Sequence, residues 1–164
     1  MEQQNLPQQV ILAAVAKGLT VATAESLTAG MVSAALATVP GASGALQGGV
    51  VSYQNKVKSS LLGVDEALMD RNGSVDADVA RQMAEGARRA LAADIAVATT
   101  GAAGPEPHGG KAVGTVYVGV ATAAGSKAAE FSFSGDRAEI RQQACQAALA
   151  ELLHAVDDAS AGAP

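Results

Sequence analysis

The chain has 164 residues, enough for one domain that buries about two-thirds of its unfolded surface around a single core. Its 11 Lys and Arg against 16 Asp and Glu leave a formal charge of −5, and two Phe, two Tyr and no Trp offer no stacking platform, so nucleic acid is not the expected partner. A single cysteine, Cys145, excludes an internal disulfide and a multi-cysteine zinc site; no apolar run reaches the roughly 18 residues of a membrane span and no leader pattern opens the chain, which reads as cytoplasmic with no membrane partner.

Gln8 to Lys17 carries Val10, Ile11, Ala14 and Val15 at helical spacing, and Gly18 is placed to end that helix. Thr20 to Ala24 reads as a buried strand, and Thr28 to Thr38 as a helix closed by Pro40-Gly41. Leu46 to Tyr53 is the second strand, with Gly48 and Gly49 marking a bulge or a close approach. Short helices follow over Asn55 to Leu62 and Asp65 to Asp70. Asp76 caps a helix that runs to Ala93 and turns Val79, Met83, Ala87, Ala90 and Leu91 inward. Asp94 to Thr100 is a third strand, followed by a Gly- and Pro-rich loop to Lys111. Val113 to Thr122 and Ala128 to Ser134 read as a hairpin around Ala124-Gly125. Asp136 and Glu139 stand in capping-box spacing before a last helix that runs to about Val156. Residues 1–157 thus form one domain and 158–164 a frayed tail.

Helices separate the first three strands, while the fourth and fifth are joined tightly. The expected fold is a three-layer α/β/α sandwich around a mixed, mostly parallel sheet of about five strands. Ligands in open α/β sheets gather at the carboxyl ends of strands, where Ser26, Tyr53 and Gly101 converge. At such a strand-to-helix junction Ser26 either caps the helix through Thr28 or Ala29, or offers its hydroxyl to solvent beside unpaired amides that favour negative charge.

A Ser-His-Asp triad is poorly supplied. His154 sits near the end of the last helix and reads as surface, while His108 in the Gly-rich loop reads first as a solvent-exposed loop tip and second as a group that approaches ligand. A Ser-Tyr-Lys or Ser-Lys arrangement through Tyr53 and Lys58 is better supported, although a lysine in an early helical turn is ordinarily a solvated charge. Cys145 reads as a small buried hydrophobe. No His, Asp and Glu cluster has metal-ligand spacing, and no cofactor is expected. Thr99-Thr100-Gly101-Ala-Ala-Gly104 lacks the pattern of a P-loop or a dinucleotide fingerprint, yet its glycines permit close backbone approach. With Arg137 and Arg141 it is a candidate anion site, while helix-edge surface is an equal reading of Arg137.

Thr23-Ala-Glu25-Ser26-Leu-Thr28-Ala-Gly30, Val51-Ser-Tyr53-Gln-Asn55-Lys-Val-Lys58, Thr100-Gly-Ala-Ala-Gly-Pro105, Val113-Gly-Thr-Val and Phe133-Ser-Gly-Asp-Arg137 together resemble the C-terminal domain of the CinA, or competence-damage-inducible, family. That family includes stand-alone nicotinamide-nucleotide amidohydrolases, the nicotinamide mononucleotide deamidases. The resemblance implies metal-free hydrolysis of the carboxamide of nicotinamide mononucleotide to nicotinate mononucleotide and ammonia. It implies Ser26 as nucleophile with Tyr53 and Lys58 as activating partners, and it makes a homo-oligomer the expected assembly. Two departures stand out. The usual Cys-Thr-Gly-Gly after the serine is Leu27-Thr28-Ala29-Gly30, with Ala29 expected at a helical position, and the Pro105 to Lys111 loop is short, with Ala112 where Pro is usual. No counterpart of the separate N-terminal domain of longer relatives is expected here, and the pyrophosphatase activity of that domain is not carried over.

The expected mechanism is an acyl-enzyme route in which Lys58, directly or through Tyr53, deprotonates Ser26 while amides near Thr28, Ala29 and Gly30 hold the oxyanion. Asn55, Thr100, Gly101, Gly104 and Arg137 are the expected substrate-binding residues, the phosphate meeting the 101–104 loop or Arg137, and Glu25 orienting a ribose hydroxyl or a catalytic amine. A catalytically idle nucleotide- or partner-binding module, or an amidohydrolase of another small amide, are the alternatives.

Overall fold

The structure, a computed structural model, describes residues 5–162. Six helices surround one sheet: α1 (Leu6–Lys17), β1 (Val21–Glu25), α2 (Met31–Ala37), β2 (Leu46–Val51), α3 (Asn55–Leu62), α4 (Glu66–Asn72), α5 (Ala77–Ala90), β3 (Ile95–Gly101), β4 (Thr115–Thr122), β5 (Gly125–Ser132) and α6 (Arg137–Asp158). The five strands lie in the order β2-β1-β3-β4-β5. β1 pairs parallel with β2 and β3, and β4 pairs antiparallel with both β3 and β5, so only β4 runs against the others. The mixed sandwich expected from the sequence is therefore the observed fold.

Alternation along the strands explains the two layers. Val21, Ile95, Val97, Val116, Val118 and Val120 point to the face covered by α1, α2 and α6, where they meet Ile11, Leu36, Leu149 and Leu152. The opposite face is built from Ala22, Ala24, Ala96, Ala98 and Ala121, which pack against Leu62, Met83 and Ala87. Small side chains on that face let α5 approach closely: a Cβ at Gly119 would lie 2.2 Å from the Ala80 carbonyl oxygen. The end of α3 rests on α5 in the same way, because a Cβ at Gly86 would lie 2.0 Å from the Leu62 carbonyl oxygen. These contacts set where α3, and Lys58 upon it, can lie.

Element ends differ from expectation in informative ways. α2 begins at Met31 rather than Thr28, because Ser26 to Gly30 form a separate turn after β1. Ala29 is consequently not helical but has φ +46°, a left-handed conformation that a Cβ disfavours. β2 stops at Val51, and Tyr53 lies beyond it. The bulge expected near Gly48 is present as a register shift, Val21 pairing with Leu46 and Ala22 with Gly48. On α5, Ala90 is exposed and Leu91 follows the helix, while Ala80, Ala84 and Gly86 join Val79, Met83 and Ala87 in the buried stripe. Asp76 and Asp136 cap α5 and α6 as expected, the latter with the full capping box through Glu139. Beyond α6 the chain turns back along α1, where Gly162 N–H donates to the Lys17 carbonyl at 2.6 Å. Among the described residues no helix is long and apolar enough to cross a membrane.

The parallel register brings three strand ends level, Glu25 lying beside both Val51 and Thr99. The segments leaving these ends surround one cavity.

Candidate active site

Ser26 begins the turn after β1, its N–H donating to the Thr99 carbonyl at 3.1 Å. Lys58, in the second turn of α3, extends beneath it and is 1% exposed. Its Nζ donates to Ser26 Oγ at 3.1 Å, to the Ser52 carbonyl at 2.9 Å and to the Tyr53 carbonyl at 3.1 Å. Burial disfavours the ammonium form and lowers the Lys58 pKa to about 8. In the neutral amine two N–H groups serve the two carbonyls, leaving the lone pair for the one partner that can donate, the Ser26 hydroxyl. The arrangement can take a proton from Ser26 near neutral pH.

The surroundings correct several expected roles. Glu25, 1% exposed, accepts from the Val32 and Ser33 amides at 2.8 and 3.0 Å, and from the Ser33 and Thr23 hydroxyls at 2.9 and 3.2 Å. It thus caps the start of α2 from inside, and it is neither on a catalytic amine nor in the cavity wall. With those amides occupied, the helix start does not face Ser26. The Leu27 and Thr28 amides, which follow Ser26 in the turn itself, have no hydrogen-bond partner among the described residues. The Thr28 side chain is buried and shares a 2.8 Å hydrogen bond with Thr99 Oγ1, which pins the turn to β3. Ala29 and Gly30 lie in that turn with positive φ, outside the cavity lining.

Tyr53 reaches Lys58 only through its carbonyl. Tyr53 is 51% exposed, and its phenol accepts from Arg137 Nη2 at 2.7 Å and makes no hydrogen bond to Ser26 or Lys58. Arg137 opens α6 and also donates through Nη1 to the Gly104 carbonyl at 2.6 Å, a strap between the segment after β2 and the loop after β3. Arg141 donates through Nε to the Leu27 carbonyl at 2.8 Å and supports the turn from below instead of reaching the cavity.

The cavity has a volume of about 520 Å³ and is walled by Ser26, Tyr53 and Asn55, the 100–104 segment, and Arg137. Thr100 is buried with its hydroxyl donating to the Ser74 carbonyl at 2.7 Å. Gly101 is obliged to be small, since a Cβ there would lie 2.7 Å from Val116 and 3.1 Å from Leu27. Ser74, for which the sequence offered no role, also lines the cavity, and so does His108. The signal for Ser74 was its place just before the Asp76 cap, ahead of the best-formed helix. His154 is exposed, and Cys145 is buried with its thiol pushed up to about 11 by burial and then by the Glu25 charge. Among the described residues no three His, Cys, Asp or Glu side chains are grouped to hold a metal ion.

Comparison with known proteins fixes the ancestry. The CinA C-terminal domain family matches residues 3–156. The chain belongs to that family. It is 45% identical over 150 residues to a CinA-like protein of Anaeromyxobacter sp. strain K, covering 90% of this chain and 36% of that protein. A CinA-like protein of Frankia casuarinae is 45% identical over 135 residues, covering 82% of this chain and 31% of that protein. The chain therefore spans about a third of the length of these curated CinA relatives. Among solved structures, a CinA superfamily protein from Klebsiella pneumoniae superposes with TM-score 0.89 at 29% identity, covering 94% of this chain and 99% of that one. The competence/damage inducible protein CihA from Agrobacterium tumefaciens gives TM-score 0.88 at 33% identity over 96% and 99% of the two chains.

Proposed function

We propose that this CinA-family domain is a serine amidohydrolase that converts nicotinamide mononucleotide to nicotinate mononucleotide and ammonia. The observation that carries the reading is the buried Lys58 amine at 3.1 Å from the Ser26 hydroxyl, at the edge of a cavity. Neutral Lys58 accepts the Ser26 proton as Oγ attacks the carboxamide carbon, and the Leu27 and Thr28 amides are the donors available to the oxyanion. As the tetrahedral intermediate collapses the C–N bond breaks, and the Lys58 ammonium returns its proton to the leaving nitrogen, which departs as ammonia. Water, deprotonated by the same amine, then cleaves the acyl ester and frees the acid and Ser26.

Tyr53 has no proton-transfer role in this scheme. It positions Lys58 by its carbonyl and Arg137 by its phenol. The remaining N–H donors of Arg137 and the backbone of residues 101–104 supply an anion-binding side for the nucleotide phosphate, and Asn55 lies at the mouth.

The test is ammonia and nicotinate mononucleotide production from nicotinamide mononucleotide by the purified protein. Ser26→Ala is expected to remove turnover while preserving substrate binding. An inert wild type, or a Ser26→Ala variant as fast as wild type, defeats the reading; ligand binding without product in the wild type would favour an idle binding module.

A further inference from the structure

A second set of side chains lines the same cavity and takes no part in the Ser26–Lys58 pair. His108 and Lys111 exchange backbone hydrogen bonds of 3.1 and 2.9 Å around Gly109-Gly110. Both glycines have positive φ, 56° and 77°, which closes a tight two-residue turn at the loop tip. The tip rests on the segment before α5, for a Cβ at Gly73 would lie 3.3 Å from Gly109 Cα.

His108 Nε2 there lies 3.2 Å from Ser74 Oγ. Ser74 is buried, and its carbonyl is held by Thr100 Oγ1 at 2.7 Å, so the imidazole is tied through Ser74 to the strand whose Thr99 carbonyl anchors the Ser26 amide. Either atom can be the donor in this pair; in the tautomer where Ser74 Oγ–H donates to Nε2, Nδ1 carries the ring proton. Nδ1 has no hydrogen-bond partner among the described residues.

The formally charged side chains in the cavity wall are Lys56, Glu106 and Arg137. Two cations against one carboxylate form a positive locality in a chain of formal charge −5, and His108 adds an N–H donor beside it. His108 enters from the α5 side of the sheet and Arg137 from the α6 side, so an anion between them would meet donors from both layers.

We propose that His108, oriented by Ser74, is a specificity-determining residue that binds the phosphate of a mononucleotide substrate through Nδ1–H. This deepens the reading of the Ser26 site as one acting on a nucleotide, and its test is kept apart from turnover. Calorimetric titration with ribose 5-phosphate and with ribose, on wild type, His108→Ala, His108→Lys and Ser74→Ala, separates the phosphate from the sugar. Wild type is expected to prefer ribose 5-phosphate, His108→Ala to weaken that affinity about tenfold, and Ser74→Ala about threefold because the ring loses its orientation. His108→Lys keeps a donor and is expected to restore most of the preference.

For nicotinamide mononucleotide the loss should appear in KM more than in kcat. Equal ribose 5-phosphate affinity in wild type and a folded His108→Ala variant overturns the proposal, and so does a wild type that does not distinguish the phosphate from the bare sugar. A wild type that binds ribose 5-phosphate through His108 but releases no ammonia from nicotinamide mononucleotide upholds the phosphate site and sinks the amidase reading instead.

Discussion

Lys17 and Lys58 each place one amine on three oxygen acceptors, and they do opposite work. Lys17 is half-buried at the end of α1 and donates to the Val156, Asp157 and Ala159 carbonyls at 2.8, 2.6 and 2.8 Å. Those oxygens can only accept, so all three protons of the ammonium are needed, and the charge sits at the negative end of α6. Lys58 exchanges one carbonyl for the Ser26 hydroxyl and lies deeper. That single change of partner permits the neutral amine. A structural cation and a candidate general base differ here by one oxygen type and by depth.

The comparison can be broken most severely at Lys58. Lys58→Met is expected to lower kcat for nicotinamide mononucleotide by at least about 10³-fold while the protein stays folded, since an apolar chain of similar length replaces a desolvated amine. Steady-state ammonia release and far-UV circular dichroism read both halves of that outcome.

The pH dependence sharpens it next. The folded pKa of about 8 lies below the ordinary 10.5, so between these values the unfolded chain binds more protons than the folded one, and stability must rise with pH across that window. The gain is about 3 kcal/mol from pH 8 to 10.5, flat below pH 8, and absent from Lys58→Met. Urea unfolding at stepped pH measures it. Activity is expected to climb along a limb with its midpoint near 8.

Lys17→Met should give the mirror result: about 1–3 kcal/mol less stability, with kcat unchanged. A loss of activity there with stability intact would erase the distinction between the two lysines. The smallest effect is expected at Ala29, which touches neither. Ala29→Gly relieves the left-handed strain and should raise the urea midpoint by the equivalent of about 0.5–1 kcal/mol.

Much of the fold was legible because its signals are local. The apolar run before Ser26, the Asp76 and Asp136 caps and the Ala124-Gly125 turn each specify their element within a few residues. The convergence of Ser26, Tyr53 and Gly101 followed from strand direction alone. Lys58 was harder, because nothing near it in sequence announces burial; its depth follows from how α3 seats on α5. Glu25 was misread for a related reason. Its carboxylate serves amides seven and eight residues onward, across a turn that propensity merges with the helix. Tyr53 and Arg137 meet across 84 residues, and Ser74 and His108 across 34, distances at which spacing rules are silent.

Gly86 shows how far such a dependence reaches. By helix propensity alone, Gly86→Ala is a favourable change of about 1 kcal/mol in the middle of α5. Here the added methyl would strike the Leu62 backbone and lever α3 outward, withdrawing the amine from the alcohol it serves. Gly86→Ala is therefore expected to lower the urea midpoint and, with Lys58 displaced, ammonia release as well, the reverse of what helix propensity alone gives.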